Sequence, residues 1–153
     1  MQYVIPGDPT PWQAHKGYGK KSYSPKYCEK KRAQWELFIQ HAKAKGGLIS
    51  SKELIDRPIR IDFLFCMPIP KSKPKILKQV KNGEEVYHSS KPDLTNLKKF
   101  SEDALKGIVI KDDNINVEGF AKKIYSLTPQ TIITISELCP ISKPAKNAVK
   151  KSV

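Results

Sequence analysis

A small α/β (α+β) domain with a mixed sheet and two helices, in the order β-α-β-α-β-β, is the fold this sequence predicts. Three observations carry the prediction. "RPIRIDFLFCMP" (57–68) alternates apolar and other residues with period two. Two stretches, 24–46 and 93–107, repeat their apolar residues at helical spacing. "TIITISEL" (131–138) is a β-branched run that suits a strand. The 153 residues suffice for one core, so one domain is expected at 1–140, followed by a basic, disordered tail at 141–153.

Taken in order, "MQYVI" is the first strand and "PGDPTPW" breaks it with three prolines. "HKGYGKKSY" (15–23) reads as a mobile basic-aromatic loop. In the first helix Ser24 is the expected N-cap, Pro25 the first helical residue, and Gly46-Gly47 the stop. Its buried arc should comprise Tyr27, Cys28, Trp35, Phe38, Ile39 and Ala42. In the strand that follows, Ile59, Ile61, Phe63, Phe65 and Met67 share a face. Residues 71–90 read as one long connection. "GIVI" (107–110) and "INVEGFAKKIYS" (115–126) read as strands with "KDDN" as the bend between them.

Lys plus Arg number 28 against 15 Asp plus Glu, a formal charge of +13. That excess points to a polyanion, nucleic acid foremost. Lys16, Lys20 and Lys21 in the first loop and Lys71, Lys73 and Lys75 in the long connection are the candidate DNA contacts, and Lys91 joins them. No stretch approaches the ~18 apolar residues of a membrane span. The opening residues lack the basic and apolar regions of a secretory signal. A cytoplasmic, nucleoid-associated protein with no membrane partner and no small-molecule cofactor is therefore expected. Cys28, Cys66 and Cys139, and His15, His41 and His88, show no metal-ligand spacing.

Four of the seven aspartates, Asp93, Asp103, Asp112 and Asp113, fall within twenty-one residues. Asp93 sits at the N-cap of the second helix, and Asn96, Lys99 and Asp103 line one polar edge. If "GIVIKD" runs back beside that helix, Asp112 and Asp113 return near Asp93. Converging carboxylates need a cation, and an all-oxygen set suits Mg²⁺ or Mn²⁺. The alternative is structural: Asp93 a cap, Asp103 the partner of Lys99, Asp112-Asp113 a polar turn.

These residues resemble the RusA-type Holliday junction resolvases, whose pattern is K-P-D-x-D-N-x-x-K, then D-A-L-x-G, then a D-D pair. Here it stands as Lys91-Pro92-Asp93-Leu94-Thr95-Asn96-Leu97-Lys98-Lys99, Asp103-Ala104-Leu105-Lys106-Gly107 and Asp112-Asp113. Gly7-x-Pro9, "YSPK" (23–26) and His88 are also similar to the family. The resemblance implies a Mg²⁺- or Mn²⁺-dependent endodeoxyribonuclease acting in recombination and repair, common in prophages. It would cut four-way junctions as a homodimer. It implies Asp93 and Asp113 as metal ligands, Lys99 as the catalytic lysine and Asp112 as a supporting carboxylate. Two positions depart from the pattern: Thr95 replaces the second aspartate, and Ile115 a frequent Gln. A catalytically weakened junction-binding protein on the same fold is the alternative. An RNA-binding module, indifferent to metal, is a third.

Overall fold

The structure is a computed structural model that describes residues 1–14, 26–45 and 53–138, with the backbone alone of 16–18 and 21–23. Strand β1 (Gln2–Pro6) pairs antiparallel with β7 (Gln130–Glu137), and β7 pairs antiparallel with β4 (Ile59–Pro68). On its other side β4 pairs in parallel with β5 (Asn116–Glu118) and then β6 (Ala121–Ser126). The sheet is mixed, as the sequence predicts. Helices α1 (Lys26–Lys45) and α3 (Leu94–Leu105) pack on it and on each other.

The period-two face of β4 is the core. Ile59, Ile61, Phe63, Phe65 and Met67 are all buried. They meet Leu97, Phe100, Ala104 and Leu105 from α3 and Trp35 and Ile39 from α1. Trp35 and Phe100 lock the helices edge to face, with ring centroids 5.1 Å apart. Two residues of the expected α1 arc lie outside the core: Tyr27 is 56% and Phe38 40% exposed. They sit on the flank of the helical stripe, which narrows to Cys28, Trp35 and Ile39.

Four further expectations are corrected. The 71–90 connection contains a third helix, α2 (Pro74–Lys81). Pro74 starts it with a preset φ, and Ile76 and Val80 are half-buried one turn apart. The lysines around them hid that short stripe. The basic 15–23 loop holds a hairpin, β2 (Lys16–Tyr18) with β3 (Lys21–Tyr23). "GIVI" is a turn, not a strand. Gly107 takes φ +77°, its N–H donates to the Ile110 carbonyl at 2.8 Å, and Val109 and Ile110 are buried plugs. A short buried apolar run cannot be told from a strand by periodicity alone. Finally, 115–126 is not one strand but two, broken at Gly119-Phe120. Expectations for His15, Ser24-Pro25, Gly46-Gly47, Cys139 and the 141–153 tail lie outside the described residues. Among those described, no helix is long and apolar enough to cross a membrane.

The break has a clear cause. The chain passes so close to β4 that a Cβ on Gly119 would lie 2.1 Å from the Ile61 carbonyl oxygen. The Phe120 N–H then donates to the Asp62 side chain at 2.8 Å instead of to the ladder. Gly119→Ala must push two strands apart, so it is expected to lower stability by about 2–3 kcal/mol, read as the shift in a urea midpoint at unchanged slope.

Candidate active site along helix α3

Asp93 is exposed at the N-terminal end of α3. Its backbone carbonyl accepts from the Asn96 and Leu97 amides at 3.1 and 3.2 Å, but its carboxylate makes no capping bond. The turn before it is tied to β6 by Lys123, whose Nζ donates to the carbonyls of Ser90 and Pro92 at 2.8 and 2.6 Å. Upstream, the amides of Tyr125 and His88 bond to the Val86 and Lys123 carbonyls at 2.9 and 3.0 Å, so this stretch runs as a short strip beside β6.

Lys73 donates to the Tyr125 hydroxyl at 3.0 Å and, as the main cause, draws the phenol below its usual pKa. His88 packs against the same ring, centroids 4.7 Å apart. Burial, then the charges of Lys123 and Lys73, push His88 below the usual imidazole range. Its Nδ1 is buried with no hydrogen-bond partner among the described residues. Lys71, Lys75 and Lys91 are exposed; the side chains of Lys16, Lys20 and Lys21 lie outside the described residues.

Along the helix the two adjacent lysines diverge. Lys98 pairs with Glu102 at 3.8 Å, and Glu102 also accepts from the Asn116 side chain at 2.7 Å. Burial raises the Glu102 pKa, and the Asn116 bond partly offsets it. Lys99 instead places its ammonium 3.7 Å from the centre of the Trp12 ring. Asp103 does not pair with Lys99. It lines a shallow recess of about 90 Å³ with Trp12, Cys28, Arg32 and Phe100.

At the C-terminal end, Lys106 pairs with Asp112 and lies 3.8 Å from Asp113. Asp112 is held below the ordinary carboxylate pKa, first by Lys106. Its side chain also accepts from the Asp113 amide at 2.9 Å, which opens the 3-10 turn Asp113–Ile115. The structure thus brings Asp112 and Asp113 together, but leaves Asp93 at the other end of a twelve-residue helix, about 18 Å long. This corrects the expected convergence. The chain does run back along α3, but as β5 and β6: Asn116 meets Glu102, and Lys123 reaches the turn at the start of the helix. Asp112 and Asp113 precede that return instead of ending it.

Among the described residues no group of three His, Cys, Asp or Glu could hold a metal ion. The donor chemistry still fits a hard cation in part. Mg²⁺ commonly takes one or two carboxylates and completes its shell with water and phosphate oxygens, and Asp112-Asp113 offers such a pair. Sequence reasoning missed Lys123, Trp12, Glu102 and Lys106. Only Glu102 carried a signal, its i+4 spacing from Lys98.

Residues 6–136, which include every candidate on α3 and its flanking turns, match the family described as endodeoxyribonuclease RusA. The chain belongs to the RusA endodeoxyribonuclease family. It is also 28% identical over 108 residues to the uncharacterized protein YqaN of Bacillus subtilis (strain 168), covering 69% of this chain and 76% of that protein. RusA membership carries endonuclease activity on DNA in general, and RusA nucleases are generally dependent on a divalent metal.

His88 gives the site a pH signature. An unfolded histidine titrates near 6.5, while burial and the neighbouring lysines make the folded one harder to protonate. As pH falls below about 6.5 the unfolded chain binds this proton more readily than the folded chain, so stability is lost on acidification. The melting temperature of His88→Leu is expected to fall less than that of wild type between about pH 7 and pH 5, by circular dichroism.

Proposed function

We propose that this RusA-family chain is a divalent-metal-dependent endonuclease that cuts four-way DNA junctions as a homodimer. The observation that carries the reading is the position of the family motif. Asp93, Lys99 and Asp112-Asp113 all lie exposed or half-exposed along one helix and its flanking turns, on a chain of charge +13. Lysines attract the phosphates, and a few carboxylates in that basic surface mark where a cation is wanted. When bound, Mg²⁺ or Mn²⁺ would supply an acidified water and neutralise charge on the phosphate.

We assign Asp113, supported by Asp112, and Asp93 as the residues that would hold it. Asp93 joins the same ion only if the Asp112-Asp113 turn leaves Lys106 and moves toward the start of α3. Lys99 provides a fixed positive charge for the scissile phosphate. Lys71, Lys75 and Lys91 provide grip on the arms, as do Lys16, Lys20 and Lys21, while Lys73 reaches the DNA only after release from Tyr125. A prophage origin and a role in recombination and repair fit the same reading.

One observation favours a second reading, a junction-binding protein with a weakened site. Thr95 stands where the family places a carboxylate, in keeping with the lack of any three-ligand group among the described residues. Thr95 is exposed, so an aspartate fits there without displacing the core.

A cleavage time course on labelled four-way junction, in Mg²⁺ and in EDTA, decides between them. Asp113→Asn is expected to abolish cutting while junction affinity in EDTA stays equal or rises, because a charge that repels phosphate is gone. Thr95→Asp should lower the Mg²⁺ concentration needed for half-maximal rate. If wild type never cuts and Thr95→Asp does not create cutting, the second reading stands. If Asp93→Asn cuts normally while Asp113→Asn does not, the ion belongs to the Asp112-Asp113 pair alone.

Two symmetric cuts need two active sites, and a two-fold dimer suits a four-way junction. Light scattering at micromolar concentration is expected to give twice 17.3 kDa; a protein that stays monomeric on and off DNA contradicts the dimer.

A further inference from the structure

Lys98 and Lys99 are neighbours in sequence with opposite circumstances. Lys98 faces Glu102, a carboxylate one turn away. Lys99 has a carboxylate at the same spacing, Asp103, yet makes no ion pair among the described residues. Its ammonium sits over the Trp12 indole, 3.7 Å from the ring centre.

The two kinds of partner do different things to a cation. A carboxylate holds it and cancels its charge. An indole attracts it through the negative face of the ring but carries no net charge, so the ammonium keeps its full field. Trp12 is itself registered to α3: its backbone amide donates to the Asn96 carbonyl at 2.8 Å, one turn before Lys99. Its ring packs half-buried against the core. The contact therefore fixes the ammonium relative to the helix that also carries Asp93.

We propose that Trp12 is the positioning residue for Lys99, holding its ammonium extended and unneutralised for a backbone phosphate of the DNA. The proposal rests on the role given above to Lys99 in cleavage.

The test is a double-mutant cycle of Trp12→Leu and Lys99→Met, read by single-turnover junction cleavage. It is paired with the NMR shift of the Lys99 ε-methylene protons in DNA-free protein. A cation held over an indole is worth about threefold to thirtyfold in rate. Trp12→Leu should slow wild type within that range and have no further effect on the residual cleavage of Lys99→Met. Trp12→Phe, which keeps a smaller aromatic face, should recover part of the loss. Wild type should show the ε-methylene signal displaced upfield by the ring, and Trp12→Leu should return it to the ordinary lysine position. Equal slowing by Trp12→Leu with and without Lys99 would mark a general packing defect and overturn the proposal. So would an undisplaced signal in wild type. Wild-type rates in Trp12→Leu, with Lys99 still required, would remove the proposal alone. Full activity of Lys99→Met would remove the role of Lys99 and the proposal with it.

Discussion

Strand β4 is hydrogen-bonded along both edges, and that double pairing sets the rest of the molecule. One edge takes β7 over eight register positions from Ile59–Glu137 to Cys66–Gln130. The other must accept a chain arriving in parallel from the turn after α3. It does so in two pieces because β4 and the incoming chain touch too closely at Gly119 for any side chain. Asp62 bridges the gap, taking the Phe120 amide while its carboxylate is balanced by Arg60 at 2.9–3.0 Å. One of seven aspartates in a basic chain is thus used to mend a sheet edge.

The path of β5 and β6 then decides what lies beside α3. Because the chain runs the length of that helix, Asn116 reaches Glu102 near one end and Lys123 clamps the turn at the other. The acidic pair precedes this run, so it sits with Lys106. Charge is partitioned along the way. Lys98, Lys106, Lys111 and Lys122 face carboxylates, whereas Lys71, Lys75, Lys91 and Lys99 have no ion pair among the described residues. Exposed pairs add little stability. Their effect is to determine which cations keep a charge that no neighbouring carboxylate offsets.

The sequence made the core legible because period and burial agree. Every residue of the β4 face that alternation selects is buried, and α3 buries Leu97, Phe100, Ser101, Ala104 and Leu105, within the 93–107 stretch whose apolar residues recur at helical spacing. It failed where composition and conformation part. "GIVI" has the residues of a strand, but Gly107 reverses the chain before one can form. Placing Asp112 and Asp113 beside Asp93 followed from that one misread segment, since a strand there would span the helix whereas a turn does not. Lys123 and Trp12 were illegible for a different reason. Each acts across a long sequence separation on a backbone carbonyl or another side chain, and no local pattern encodes such a partner.

The state of Asp93 follows from this long-range scaffolding. An aspartate at an N-cap ordinarily gives its side chain to the first free amides of the helix. Here the Asp93 backbone carbonyl receives the Asn96 and Leu97 amides, and Lys123 anchors the turn from outside. Those backbone bonds form at a helix start whatever the side chain does, so the carboxylate stays outside the helix's own hydrogen bonding. The Asp93 carboxylate is thus an exposed charge with no capping bond, one residue after a clamped turn and on the same helix as Lys99, which makes no ion pair among the described residues.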